Sequence, residues 1–219
     1  MLTRGDKTVE DCLSVFDEIA PLGLKHVGFK DVGVEPATLL KLTERIRRAG
    51  AISYMEVVSE TPEACLRSAR VARELGIDRL LGGTNVAAIT DIIAGTHTDY
   101  YPFPGFPEGH PTRLGGTAQD VTAHCRNYRA AGCAGADLLA FRATEADPLE
   151  LVRAARTGLA DGYLIVAGSI TSAERIRTVA DAGADAFTIG TAVFDGTYNP
   201  RKGSILSQLG DVIADCAAA

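Results

Sequence analysis

Four stretches of this chain follow one pattern, in which an amphipathic helix ends at glycine, a short link follows, and an apolar strand begins. They are Leu22-Gly23-Leu24-Lys25-His26-Val27-Gly28-Phe29, Leu75-Gly76-Ile77-Asp78-Arg79-Leu80-Leu81-Gly82, Gly135-Ala136-Asp137-Leu138-Leu139-Ala140-Phe141 preceded by Ala131-Gly132, and Ala182-Gly183-Ala184-Asp185-Ala186-Phe187-Thr188-Ile189. Glycine ends a helix because it enters the left-handed region without a Cβ penalty. Strands apolar at nearly every position are those of a parallel sheet covered on both faces. A chain that keeps alternating helix and strand in this way is confined to a few α/β architectures.

The pattern predicts strands near residues 26–31, 51–57, 79–83, 99–103, 136–142, 162–168 and 186–190, with helices in most intervals. An eighth strand must come from the N-terminus, where only Met1-Leu2-Thr3-Arg4 precedes a first helix at about Val9 to Ala20. No early G-x-G-x-x-G opens a dinucleotide unit, so the count favours a single (β/α)8 TIM barrel over residues 1–219, with a short or truncated first strand, rather than a doubly wound sheet. A first strand that short leaves sheet edges to protect, which favours a homo-oligomer. Between Thr96 and Gly116 the run Tyr101-Pro102-Phe103-Pro104-Gly105-Phe106-Pro107-Glu108-Gly109-His110-Pro111 excludes a helix. A loop of this length is expected to form a wall or lid over a ligand.

Composition narrows the function classes. No apolar run approaches the length of a membrane span, and Met1 to Glu10 lacks the apolar stretch of a signal peptide, so a soluble, cytoplasmic protein is expected. Five scattered cysteines form no C-x-x-C pair, which argues against a zinc ribbon or a disulfide framework. The formal charge of −6 disfavours a nucleic-acid surface but allows a local basic pocket for a small phosphorylated metabolite.

Two further runs, Ile165-Val166-Ala167-Gly168-Ser169 and Phe187-Thr188-Ile189-Gly190-Thr191, end alike in glycine and a small hydroxyl residue. Glycine there would let backbone N–H groups approach an anion, and the helix after the first run would add its N-terminal dipole. Gly168, Ser169, Gly190 and Thr191 are thus candidate phosphate ligands. In an α/β barrel the C-terminal strand ends line the active site. That criterion selects Arg4, Asp6, Lys30, Asp31, Glu56, Thr84, Asn85 and Arg142. Val27 and Phe29 suit the helix-packing layer, which turns Gly28 and Lys30 inward, and the neighbouring strand brings Glu56 within ion-pair reach of Lys30. The pair is either an acid/base couple or a structural salt bridge, and Lys30 is also placed to act as a Schiff-base nucleophile. Asp6 is either a third catalytic candidate or a cap of the first helix. Arg142 either neutralises a ligand anion or pairs with Glu145. Of the four histidines only His110, in the proline-rich loop, is a site candidate. No H-x-H, H-E-x-x-H or dense carboxylate cluster appears, so neither a metal nor a cofactor is expected.

The segments Gly162–Glu174 and Ala182–Phe194 resemble the closing quarter of the ribulose-phosphate-binding barrels, a superfamily of isomerases, epimerases, decarboxylases, aldolases and indole-glycerol-phosphate synthase. Elsewhere the likeness is only architectural. The resemblance implies that the loops after the seventh and eighth strands hold a substrate phosphate, on Gly168, Ser169, Gly190 and Thr191. Metal-dependent epimerases of that superfamily carry strand-end histidines that this chain lacks. The keto-deoxy-phosphogluconate aldolase type places its lysine on the sixth strand, where this chain has Phe141-Arg142. The histidine-pathway isomerases pair aspartates after the first and fifth strands. Asp6 matches the first; Tyr100-Tyr101-Pro102-Phe103 offers no second. The expected activity is isomerisation or epimerisation of a small phosphorylated sugar or sugar-derived compound by proton transfer. The alternatives are a lyase or aldolase working through a Schiff base or enolate, and a non-catalytic phosphometabolite-binding barrel.

Overall fold

The structure, a computed structural model, describes residues 1–59 and 61–219. It opens with a hairpin, β1 (Thr3–Arg4) and β2 (Lys7–Thr8), followed by α1 (Cys12–Ile19). Alternation then sets in with β3 (His26–Lys30), α2 (Pro36–Arg48), β4 (Ile52–Val57), α3 (Pro62–Leu75), β5 (Arg79–Gly82), α4 (Val86–Ile93) and β6 (Asp99–Tyr101). A second hairpin, β7 (Phe106–Glu108) and β8 (Arg113–Gly115), interrupts it before α5 (Ala118–Ala130), β9 (Gly135–Leu138), α6 (Pro148–Leu159), β10 (Tyr163–Val166), α7 (Ala173–Asp181), β11 (Ala186–Phe187), the short α8 (Thr191–Phe194) and α9 (Ile205–Ala217).

The glycines predicted to end helices do so. Gly76 caps α3 in the left-handed region with its N–H donating to Ala72 and Arg73, while Gly132 and Gly183 follow α5 and α7 with φ of 82° and 106°.

Parallel ladders join β3-β4-β5-β6 and β9-β10-β11. The Ala134 N–H donates to Tyr100 O and the Asp137 N–H to Pro102 O, both at 3.1 Å, which carries the wall from β6 to β9. The expected first barrel strand is replaced by the antiparallel β1–β2 hairpin, paired Thr3 with Thr8 and Arg4 with Lys7. Among the described residues no continuous ladder closes the seam between β11 and β3. Instead the Met1 amine donates to Ile189 O and the Leu2 N–H to Gly28 O, each at 2.7 Å. The strands are shorter than the sequence suggests: β6 ends at Tyr101, just before Pro102, β9 gives way after Leu138 to a helical turn at Ala140–Arg142, and β11 holds only Ala186 and Phe187. The architecture is a (β/α)8 barrel.

Val27, Phe29, Met55, Val57, Ala136 and Leu138 join the main core between sheet and helices. Their alternates face the barrel interior. Tyr54, Leu81, Tyr101 and Ile165 fill its lower part. There the Arg79 guanidinium lies 4.9–5.7 Å from the ring centroids of Tyr54, Tyr101 and Tyr163 and donates to the Tyr54 hydroxyl at 2.8 Å. This apolar and cation–π packing closes the barrel's N-terminal end and leaves the opposite end for polar groups. No described helix is long and apolar enough to cross a membrane.

Candidate active site

At the C-terminal end of the barrel lies a cavity of about 890 Å³, lined by Asp6, Lys30, Glu56 and Arg142 and by both glycine–hydroxyl pairs. Its centre is Asp6. Gly5 and Asp6 form the two-residue turn of the β1–β2 hairpin, both with positive φ (55° and 66°), a combination that matches the twist of paired strands and that aspartate tolerates better than most residues. Asp6 does not cap α1, whose N-cap is Asp11. Its carboxylate takes the Lys30 ammonium at 2.5 Å and both Arg142 Nη atoms at 2.5 and 2.8 Å, and it accepts the Thr112 N–H at 3.0 Å.

Lys30 also lies 3.4 Å from Glu56. The two residues are in direct register on β3 and β4, so the expected inward pair is present, joined by Asp6 as a third member. The Thr8 hydroxyl locks the hairpin to β3, donating to Lys30 O and accepting the Lys30 N–H, each at 2.8 Å. Asp6, Lys30 and Glu56 are all at most 5% exposed. Burial by itself would raise the Asp6 carboxyl, but the hydrogen bonds and charges of Arg142 and Lys30 overcome it and hold Asp6 well below the usual carboxylate range. Arg142, expected to meet either a ligand or Glu145, is the bidentate partner of Asp6.

The two glycine–hydroxyl loops form one side of the same cavity. Gly168 and Ser169 are both left-handed, with φ of 78° and 58°. A Cβ on Gly168 would come within 2.5 Å of Arg142 Nε, and one on Gly190 within 2.7 Å of Thr3 O. These glycines therefore let the Arg142 side chain and the N-terminal segment pack against the loops. The Gly5 N–H donates to the Thr191 hydroxyl at 3.2 Å, which leaves that hydroxyl's proton free to point into the cavity. Behind Ser169, Ser172 caps α7, and Arg175 donates to Ser169 O with its guanidinium 4.7 Å from the Phe141 ring centroid.

The proline-rich segment forms a wall through Pro111, Thr112 and Arg113. His110, expected to be a site residue, is exposed at the hairpin tip and is not among the residues lining the cavity. Its neighbour Thr112 turns inward instead, and binds Asp6 through backbone. Thr84 and Asn85 line a separate recess, where Asn85 caps α4.

Asp137 was not singled out by its sequence context, yet it is wholly buried, on the interior face of β9. Neither of its carboxylate oxygens has a hydrogen-bond partner among the described residues. Burial, reinforced by the charge of Glu56 and only partly offset by Lys30 and Arg142, pushes the Asp137 carboxyl well above its ordinary value.

No protein-family model and no curated protein sequence matches the chain. Solved structures do match in fold. A native KDPGal structure superposes with a TM-score of 0.67 at 14% identity, over 98% of this chain and 90% of the other. A putative deoxyribose-phosphate aldolase from Coccidioides immitis gives 0.65 at 13%, over 88% and 79%. The orotidine 5'-phosphate decarboxylase from Pyrococcus horikoshii OT3 gives 0.61 at 13%, over 95% and 94%. The chain spans half the length of another match, a FabK mutant from Thermotoga maritima. At these identities what is shared is the fold, the TIM barrel that the alternation of strands and helices predicts.

Proposed function

We propose that the protein is an enzyme that binds a small phosphorylated sugar or sugar-derived compound and moves a proton on it, as an isomerase or epimerase. One observation carries this reading: Gly168 of the first glycine–hydroxyl loop packs on Arg142, and Arg142 grips Asp6, so the anion-binding loops and the buried ionisable cluster share one cavity. Gly168, Ser169, Gly190 and Thr191 hold the phosphate. Glu56 takes the proton from carbon, and Lys30 and Arg142 face the negative charge that develops on the enolate oxygen. Asp6, fixed by two cations, orients them rather than exchanging protons.

The test is exchange of a substrate C–H proton with solvent deuterium, followed by NMR over a panel of phosphorylated sugars. We expect exchange in the wild type and a loss of about 10²–10⁴-fold in Glu56→Gln. Exchange that survives this change unaltered removes Glu56 from the role. Tight phosphosugar binding without any exchange favours a binding protein.

A lyase passing through the same enolate is the second reading, supported by the aldolase and decarboxylase among the structures of like fold. A Schiff base on Lys30 is a poor fit to an amine flanked by Asp6 and Glu56. Borohydride treatment in the presence of substrate tests it directly, and an adduct on Lys30 would establish it.

A further inference from the structure

Three cationic side chains line the cavity, Lys30, Arg142 and Arg113. Two of them are already balanced. Arg142 spends its fork on the two oxygens of Asp6, and Lys30 lies between Asp6 and Glu56, so two cations meet two buried carboxylates. No carboxylate among the described residues lies within ion-pair reach of Arg113. Its register partner across the β7–β8 hairpin is Glu108, and opposite charges so placed ordinarily attract. Here they part: Glu108 lines the recess beside Thr84 and Asn85, whereas Arg113 lines the cavity. The backbone on both sides of Arg113 is fastened to the rim. The Thr112 N–H donates to Asp6 at 3.0 Å, Thr112 O accepts from Arg142 at 3.2 Å, and Leu114 O accepts the Thr144 N–H at 3.0 Å. Thr112 and Leu114 are buried, and because side chains alternate along a strand, Arg113 between them is exposed. The hairpin follows β6 and the wall runs β6-β9-β10-β11, so Arg113 stands two strands round the barrel from the Gly168–Ser169 loop and three from the Gly190–Thr191 loop. A guanidinium fork matches carboxylate and phosphate oxygens alike, and one carried on a fixed backbone loses less freedom on binding them.

We infer that Arg113 is a specificity-determining residue that takes a second anionic group, so that the substrate is a phosphorylated compound bearing a carboxylate or a second phosphate at the end away from the two glycine–hydroxyl loops. This rests on the proposed reading of those loops as the phosphate seat, and narrows the class of substrate. Lys30 and Arg142, matched by Asp6 and Glu56, bring no net charge to such a group. Arg113 does.

Titration calorimetry on two pairs of compounds tests it. Glucitol 6-phosphate against 6-phosphogluconate measures the effect of a carboxylate, and fructose 6-phosphate against fructose 1,6-bisphosphate that of a second phosphate. We expect the doubly anionic member of at least one pair to bind about 10–100-fold more tightly, as a charge-assisted pair provides. Arg113→Gln, at an exposed position, should abolish that preference and leave the affinity for the singly phosphorylated member unchanged, and Arg113→Lys should keep part of the preference. Equal affinities within both pairs overturn the inference and leave the phosphate seat standing. So does a preference that survives Arg113→Gln, or a variant that weakens every compound alike, which would put Arg113 on the phosphate at the loops. If none of the four compounds binds, the phosphate seat itself fails and the inference falls with it.

Discussion

Asp6 occupies a left-handed turn position and gathers Lys30, Arg142 and the Thr112 N–H around one buried carboxylate. Replacing it by asparagine strips Arg142 of its carboxylate partner and leaves Lys30 with Glu56 alone, and we predict a loss of about 3–5 kcal/mol of stability at neutral pH. The sign of the pH dependence follows from the depressed folded-state value. The contribution of Asp6 is complete above its ordinary value of 3.8 and fades as pH falls from there through the lower folded value, so wild type and Asp6→Asn should converge in acid. Urea unfolding of both proteins across that range measures the difference.

Asp137 shows why part of the site is hard to read from sequence. Gly135-Ala136-Asp137 looks like Gly183-Ala184-Asp185, whose aspartate anchors a strand start by accepting the Leu164 N–H at 2.7 Å. But the left-handed glycine that follows α5 is Gly132, three residues before Gly135, so the position matching Asp185 is Ala134, and Asp137 lies mid-strand facing inward. Counting from Ala131-Gly132 would have revealed it.

Among the elements, the regular βα units were legible because each carries its own stop signal and apolar run. The N-terminal hairpin was not, since its turn, Gly5-Asp6, has no flanking alternation long enough to announce a strand pair. Glycine marks close approaches elsewhere in the wall. A Cβ on Gly135 would lie 1.8 Å from Tyr163 O, its register partner on β10. Gly135→Ala should therefore exceed the roughly 1–3 kcal/mol of ordinary overpacking and separate β9 from β10, abolishing the cooperative thermal transition. Gly210, in the exposed middle of α9, meets nothing within 4 Å. There Gly→Ala should raise stability by about 0.5–1 kcal/mol. Equal effects at the two positions would contradict the packing described for the wall.

Across the whole molecule, the two ends of the barrel divide the work. Tyrosines stacked around Arg79 seal the N-terminal end, while the C-terminal end gathers buried charges beneath two glycine–hydroxyl loops. If Arg79 serves closure alone, Arg79→Leu should lower the thermal midpoint yet leave phosphate affinity unchanged, as calorimetry of the folded variant can establish. The assignment of a phosphorylated substrate turns on where its phosphate sits. The most direct measurement is a crystal structure of the protein with inorganic phosphate. We predict phosphate within hydrogen-bond distance of the backbone N–H groups and hydroxyls of Ser169 and Thr191, on the side of the cavity that holds Arg142. Phosphate bound in the recess beside Thr84 and Asn85, with the loops at Gly168 and Gly190 left empty, would contradict it.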